Sequence, residues 1–484
     1  MPIAAERKLL GYGEGFYGPP HSWEDRHYIV DVLASEGLNA YVYAPKNDPY
    51  HRDRWREPYP VEELDQFRHL NQKAESQGVS FCFSISPMGM VFSSEDDFAL
   101  LQEKIRPFLD MGISDMAVLF DDVPEVLLVQ DEGKFKSLGQ AHGATGAKIF
   151  EFISVHGARL AIAPTEYTGN YITPYLQDLA AELPSEVPIA WTGLYVLSPE
   201  ITAEQVAERE ASLQHPILVW DNFPVNDGPM GVWCHLGPWQ GRDWRLIQSA
   251  AGLFVNGMQQ ARASMVGLRQ LGQLIRDKED YDPMSAWVRA CLETGRGAPE
   301  AFRIVAEQMS DSVCQPIPSP TLWTLLDELE IASDEHVDDL RSRIVSELER
   351  QSKALAEVRK CLEDKSLLKE LDPWLDQMGR NLTAMYTLAK AWEAAKPERS
   401  SGIMTPQHMF SVIAAILQRT QPGGTGKVVH GASLGFRAVV ETVGDGWRVH
   451  PGAIVENRSA VDRFFALVLK RVCRDRDSEI QGTD

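Results

Sequence analysis

Eight short apolar runs recur across the first 260 residues, at 10–13, 40–43, 80–84, 116–120, 160–163, 187–190, 217–219 and 252–255. Nearly every run ends in polar or ring-bearing groups: Glu14, Lys46, Asp121-Asp122, Thr165-Glu166-Tyr167, Trp191-Thr192, Trp220-Asp221-Asn222 and Asn256. Runs of this kind are expected of parallel strands covered on both faces. Between them lie stretches with helical spacing, among them 24–35, 61–77, 95–109 and 203–213. Strand and helix alternating eight times over roughly 250 residues predicts an α/β fold, a (β/α)8 barrel spanning about Leu10 to Gln270. A doubly wound open sheet is the competing arrangement, but eight parallel units favour closure. Either way, functional groups collect at the carboxyl ends of the strands.

The fourth run delivers two adjacent acids, Asp121 and Asp122, where a buried strand should emerge into a loop. Side-by-side carboxylates cost energy, because each opposes the charging of the other. The cost has a use if one acid must stay protonated near neutral pH while the other stays charged. The plain alternative is a loop start or helix cap, for which Asp-Asp pairs are common.

Ordered motifs surround this pair. Gly13-Glu14-Gly15-Phe16-Tyr17-Gly18 is followed by Tyr43-Ala44-Pro45-Lys46-Asn47-Asp48-Pro49-Tyr50-His51 and Trp55-Arg56-Glu57. Then come Leu119-Phe120-Asp121-Asp122, Pro164-Thr165-Glu166-Tyr167, Trp191-Thr192-Gly193, Trp220-Asp221-Asn222, Asn226-Asp227, Leu236-Gly237-Pro238 and Asn256. From about Leu10 to Met258 the chain resembles glycoside hydrolase family 84, whose members are β-N-acetylglucosaminidases, protein O-GlcNAcases among them. It departs at Gly257, where the resemblance leads one to expect proline, and over 228–235, which is particular to this chain and could alter the rim of a cleft.

The resemblance implies a substrate-assisted retaining mechanism, an exception to the usual scheme of two protein carboxylates. The sugar's own 2-acetamido oxygen attacks the anomeric carbon. Asp121 matches the residue that accepts the acetamido N–H. Asp122 matches the general acid that protonates the departing oxygen and then serves as base toward water. Gly15 (through its backbone), Lys46, Tyr167, Trp220, Asn222, Asp227 and Asn256 match positions that hold the sugar and its acetamide. Trp220 suits the flat apolar wall a pyranose needs; for Trp191 the pocket and simple core filling stand level. His51 is read as structural or rim-forming. No cofactor is implied.

Other chemistries find little footing. The six cysteines show no CxxC spacing and no paired histidines, against a structural zinc, a bound metal or a disulfide scaffold. The glycines at 13–18 are crowded by Phe16 and Tyr17 and have the wrong spacing for a dinucleotide loop. Gly423-Gly424-Thr425-Gly426-Lys427-Val428 lacks the hydroxyl residue a phosphate loop places after its lysine. A formal charge of −22 disfavours nucleic acid and anionic membranes, and would repel polyanionic substrates. With no run of eighteen apolar residues and no signal peptide in residues 1–8, the expectation is a cytoplasmic protein.

Beyond Pro283 the texture becomes helical, at 285–292, 300–309, 319–329, 334–362, 367–396 and 406–418. The expected division is a barrel catalytic domain at 1–282, a helical bundle at 283–420 and a C-terminal hairpin-plus-helix segment at 421–484. In the last segment strands at 436–443 and 447–450 flank a turn at 444–446. An amphipathic helix at 459–473 would then dock Phe464, Phe465, Leu467 and Leu469. The charged stretch 334–362 reads as a solvated helix face, with a homodimer through the helical domain as its alternative use. Three functions stand. One is an O-GlcNAcase-like enzyme acting on N-acetylglucosamine attached to serine or threonine of proteins or to small glycosides. The others are a glycosidase cleaving a polysaccharide such as hyaluronan, and a carbohydrate-binding protein with an inactive barrel.

Overall fold

The computed structural model describes residues 8–314, 319–394, 438–443, 446–451 and 460–472. The expected helix at 406–418, the glycine-rich stretch at 421–428, most of the turn at 444–446 and Cys473 lie outside the described residues. Contacts divide the chain into two compact units. One comprises residues 1–230, 237–290 and 312–315; the other comprises 231–236, 291–311 and everything from 316 onward.

The first unit is the predicted barrel. Strands β1 (Leu9–Glu14), β2 (Ala40–Tyr43), β3 (Ser80–Ile85), β4 (Asp115–Leu119), β5 (Arg159–Ala163), β6 (Ile189–Trp191), β7 (Ile217–Asp221) and β8 (Gly252–Asn256) pair in sequence order. The sheet closes because β8 pairs back onto β1, from Leu9↔Gly252 to Gly13↔Asn256, and every pairing is parallel. Helices follow each strand: α1 (Trp23–Ser35), α2 (Val61–Ser76), α3 (Glu95–Asp110), α4 (Leu138–Ser154), α5 (Pro174–Glu182), α6 (Ala203–Leu213), α7 (Trp244–Ser249) and α8 (Met265–Asp277). Ser22, Ser94, Ser137, Thr173 and Thr202 start five of them by accepting a backbone N–H of the first turn. These caps fix where each loop ends and its helix begins.

Side-chain volume is distributed unevenly across the sheet. Outward positions carry Tyr41, Tyr43, Phe81, Phe83, Val118, Ile162 and Val219, all buried beneath the helices. Phe67 of α2 meets Tyr43 edge-on at 4.8 Å, and Phe83 stacks on Phe108 of α3 at 3.5 Å. Each such side chain is worth about 1.5–3 kcal/mol when fully buried, so this outer layer dominates the barrel's stability. Inward positions are smaller: Ala40, Val42, Ala44, Cys82, Ala117, Leu119, Ala190, Leu218 and Phe254 form a separate inner cluster.

Asp221 points outward at the end of β7 and is fully buried against Arg242. The guanidinium donates to both carboxylate oxygens at 2.8 and 2.9 Å, and Trp239 Nε1 adds a third bond at 2.8 Å. Arg242 also donates to the carbonyls of Ser198, Pro199 and Gln240, which ties the loops after β6 and β7 together.

In the second unit, α9 (Pro283–Thr294) contributes its last turn, followed by α10 (Pro299–Glu307), α11 (Pro320–Ile331), α12 (Val337–Cys361) and α13 (Lys365–Ala394). Strands β9 (Ala438–Val443) and β10 (Gly446–Pro451) form the expected antiparallel hairpin. The final helix α14 (Ala460–Val472) buries Phe464, Phe465 and Leu467; the side chain of Leu469 is outside the described set. Among the described residues, no helix is long and apolar enough to cross a membrane.

Removing Arg242 leaves Asp221 as an uncompensated buried charge. Arg242→Met should therefore cost roughly 3–5 kcal/mol in urea unfolding of the barrel, and adding Asp221→Asn should recover part of it. A cost below about 1 kcal/mol would mean that the pair behaves as a solvated surface contact.

Candidate active site

The strand ends deliver side chains to one cavity of about 790 Å³. All nine residues singled out in the sequence line it: Gly15, Lys46, Asp121, Asp122, Tyr167, Trp220, Asn222, Asp227 and Asn256. They come from the ends of β1, β2, β4, β5, β7 and β8, brought together by closure from positions up to 241 residues apart.

Two glycines make the floor. A methyl group at Gly13 would stand 2.5 Å from the Trp220 indole, and one at Gly15 only 2.4 Å from it. Without these hydrogens for side chains, the ring could not lie across β1. Asn256 Oδ1 accepts the Gly15 N–H at 3.0 Å and its Nδ2 donates to Asn222 Oδ1 at 2.9 Å, while Asn222 Nδ2 donates to the Val196 carbonyl at 2.9 Å. The two amides are thus held at fixed orientations.

The acids are unequal. Asp121 Oδ2 is in a short ion pair with Lys46 Nζ, whereas Asp121 Oδ1 is buried with no hydrogen-bond partner. A buried lone pair left open costs energy and is a ready acceptor for an incoming N–H. Asp122 is more exposed and stands 3.8 Å from the same ammonium. Its backbone is left-handed, with φ at +52°, a strained setting that a non-glycine residue keeps only under constraint. The constraint is Arg52, which donates to the Asp122 carbonyl at 2.6 Å and to the Tyr17 hydroxyl at 2.8 Å. Tyr17 in turn donates to Asp122 Oδ2 at 3.0 Å.

The remaining groups follow from burial. Burial, then the charges of Asp122 and Asp121, push the Tyr167 phenol up to about 12, so it stays a proton donor. Asp227 accepts the Tyr17 N–H at 2.7 Å, and burial with the nearby Asp122 raises its carboxyl above the usual range. His51 is fully buried rather than rim-forming; its Nδ1 pairs with the Ser84 carbonyl at 2.9 Å, and burial draws its pKa down to about 4. Trp191 is buried in the outer core and donates to the Gly169 carbonyl at 2.9 Å, so packing is its main role, with one edge at the cavity wall. Within the segment 228–235, Met230 lines the cavity. Gly257 has a local cause: a methyl group there would sit 1.7 Å from the Tyr12 hydroxyl, which pairs with His21 at 2.8 Å. Sequence reasoning gave Tyr17 and Arg52 no role. Tyr17 lies inside the glycine motif and Arg52 directly follows the second one, but only long-range reach connects them to Asp122.

Residues 10–307 match the model of the β-N-acetylglucosaminidase family. The chain belongs to that family. Over 274 residues it is 32% identical to protein O-GlcNAcase of Rattus norvegicus and to that of Mus musculus, covering 55% of this chain and 30% of theirs. The chain thus spans about a third of the length of these relatives. Its fold matches a mutant O-GlcNAc hydrolase from Thermobaculum terrenum with a TM-score of 0.76 and 29% identity, over 85% of this chain and 88% of that one. The structure of CpGH84B matches with a TM-score of 0.74 and 26% identity, over 85% and 73%.

Asp227 offers a thermodynamic check on the site. Its folded-state pKa is raised, so its contribution to stability is fully present below the unfolded value, about 3.9, and is lost as pH rises through the folded value. At neutral pH the charged carboxylate is therefore a liability. Asp227→Asn, which keeps an acceptor for the Tyr17 N–H, should melt above the native chain at pH 7, and this advantage should shrink on acidification. An equal or lower melting temperature at pH 7 would show that the carboxylate is not strained by its setting.

Proposed function

We propose that the chain is a retaining β-N-acetylglucosaminidase that removes N-acetylglucosamine from serine or threonine of glycoproteins, or from small glycosides, by substrate-assisted catalysis. The observation that carries this reading is the open, buried Oδ1 of Asp121 beside an Oδ2 already neutralised by Lys46. Such a carboxylate can accept the acetamido N–H while remaining charged.

The chemistry runs in two steps. In the first, the acetamido oxygen bonds to the anomeric carbon as the glycosidic C–O bond breaks, and Asp122 transfers its proton to the departing oxygen. The acetamide N–H grows more acidic as the oxazoline forms, so the bond to Asp121 strengthens toward the transition state. In the second, Asp122 takes a proton from water as the water oxygen bonds to the anomeric carbon and the acetamide is restored. Tyr167, still protonated, donates to the acetamide oxygen and holds it in line. Trp220 supplies the apolar wall, and Asn222, Asn256, Asp227 and Lys46 bind the ring hydroxyls. The catalytic domain is assigned to residues 1–282, close to the span of the first compact unit, which omits 231–236 and adds 283–290 and 312–315.

The relatives' names favour protein-linked N-acetylglucosamine as substrate, and the charge of −22 favours it over a polyanionic glycan. Cys82, Cys234, Cys291, Cys314 and Cys361 are free thiols, which suits a reducing, cytoplasmic setting. Release of the sugar from a glycosylated peptide, against chain shortening of hyaluronan, tests the substrate. No hydrolysis of either, nor of an aryl N-acetylglucosaminide, would leave a binding protein.

The two aspartates should separate by leaving group. For Asp122→Asn, kcat/KM should fall steeply for poor leaving groups and little for acidic phenols, since general acid help is worth about 100- to 10,000-fold. For Asp121→Asn, the loss should be nearly uniform across the series. The opposite pattern across aryl glycosides would reverse the roles.

Arg52 acts on the reaction only through Asp122 and Tyr17. Arg52→Met should lower kcat roughly tenfold or more with a smaller change in KM, because it releases a strained backbone that positions the acid. An effect confined to KM would assign Arg52 to binding instead.

A further inference from the structure

The lumen of this barrel is not filled. In barrels of this class the interior is normally packed by layers of branched side chains. Here the inward positions are dominated by alanine, at Ala40, Ala44, Ala117 and Ala190, with Ala161 and Ala163 packed against them. The cavity that begins at the two carboxylates therefore continues down the barrel to its opposite, amino-terminal end, where Leu9, Asp115, Arg159, Pro188, Pro216 and Ala251 line it. A five-residue strand rises about 16 Å, which sets the length of this passage.

Its chemistry is one-sided. Between the carboxylates and the lower mouth, the inward side chains that line it among the described residues are aliphatic or aromatic, apart from the Cys82 thiol, which burial keeps protonated. At the lower mouth Asp115 is paired with Arg159 at 2.6–2.8 Å and Lys8 donates to the Ile247 carbonyl at 3.1 Å, while the carboxylates of Glu186 and Glu210 stand at the rim rather than inside the passage. A charged guest would lie in the passage without a partner. Water would find too few partners to fill it, and apolar cavities of this kind stay dry and accept apolar guests.

We propose that the lower half of the lumen is a second binding site, reached from the amino-terminal end, for a slender uncharged aliphatic chain. The site is independent of the glycosidase reading, because Ala117 and Ala161 form its middle and neither is part of the sugar pocket. These two residues are partners across β4 and β5, so a larger side chain at either one blocks the passage.

The test uses the full chain, with xenon and 1-octanol as probes. In a xenon-pressurised crystal, density is expected between Ala117 and Ala161. Saturating 1-octanol should raise the melting temperature by about 2 °C or more. Ala117→Leu and Ala161→Leu should each abolish both signals while leaving hydrolysis of an aryl glycoside unchanged. Xenon only beside Asp121, no octanol shift in the native chain, or a shift that survives in both filled variants would each overturn the proposal. If one variant misfolds, the other still decides it.

Discussion

Closure of the sheet between β8 and β1 is the constraint on which the rest depends. It places Asn256 beside Gly15, and only then can one amide both accept the Gly15 N–H and donate to Asn222. An open sheet of the same strands would leave β1 and β8 as edges and their end groups far apart. Closure also makes inside and outside different solvents. The outer face meets helices and carries the large aromatics; the inner face meets itself, so small side chains there cost little packing while leaving room for a ligand.

Electrostatic cost is managed by proximity rather than by dilution. Asp121, Asp122 and Asp227 share one cavity, and the cations within reach are Lys46 and Arg52. Lys46 neutralises one oxygen of Asp121 and reaches Asp122 at a greater distance. Arg52 spends its hydrogen bonds on the backbone of Asp122 and on Tyr17, so it holds geometry more than it cancels charge. Asp227 is in no ion pair with either, and burial, with the charge of Asp122, raises its pKa. Such a division is what a preorganised site requires: strain and unpaired acceptors are held by rigid strand ends instead of being relaxed by solvent.

The strands were legible because buried parallel strands write continuous apolar runs, and the 40–43 run coincides with β2 residue for residue. The 187–190 run fared worse: β6 covers only Ile189–Trp191, since Val187 is spent in a turn, its N–H donating to the Pro184 carbonyl, and Pro188 has no N–H. Strand-end chemistry was legible as residue types in order. Direction was not. Asp221 sits between Trp220 and Asn222 and reads as one polar cluster with them, yet period-two alternation sends it outward to Arg242 while its neighbours face the cavity. Tyr17 and Arg52 escaped for a related reason, because their partner lies 105 and 70 residues away and no local pattern encodes that reach.

The chain's negative charge and the site's interior answer to different rules. Inside the cavity, the interactions that matter are at hydrogen-bond distance and weakly screened. Outside, a formal charge of −22 is spread over a solvated surface and screened beyond about 8 Å at physiological salt. The surface field therefore acts on which partners approach and how fast, not on the contacts of Asp121 and Asp122 inside the cavity. Cavity and surface can thus change independently: the first through the strand ends that closure fixes, the second through exposed positions such as Gly228 and Pro229, which adjoin Met230 at the cavity wall.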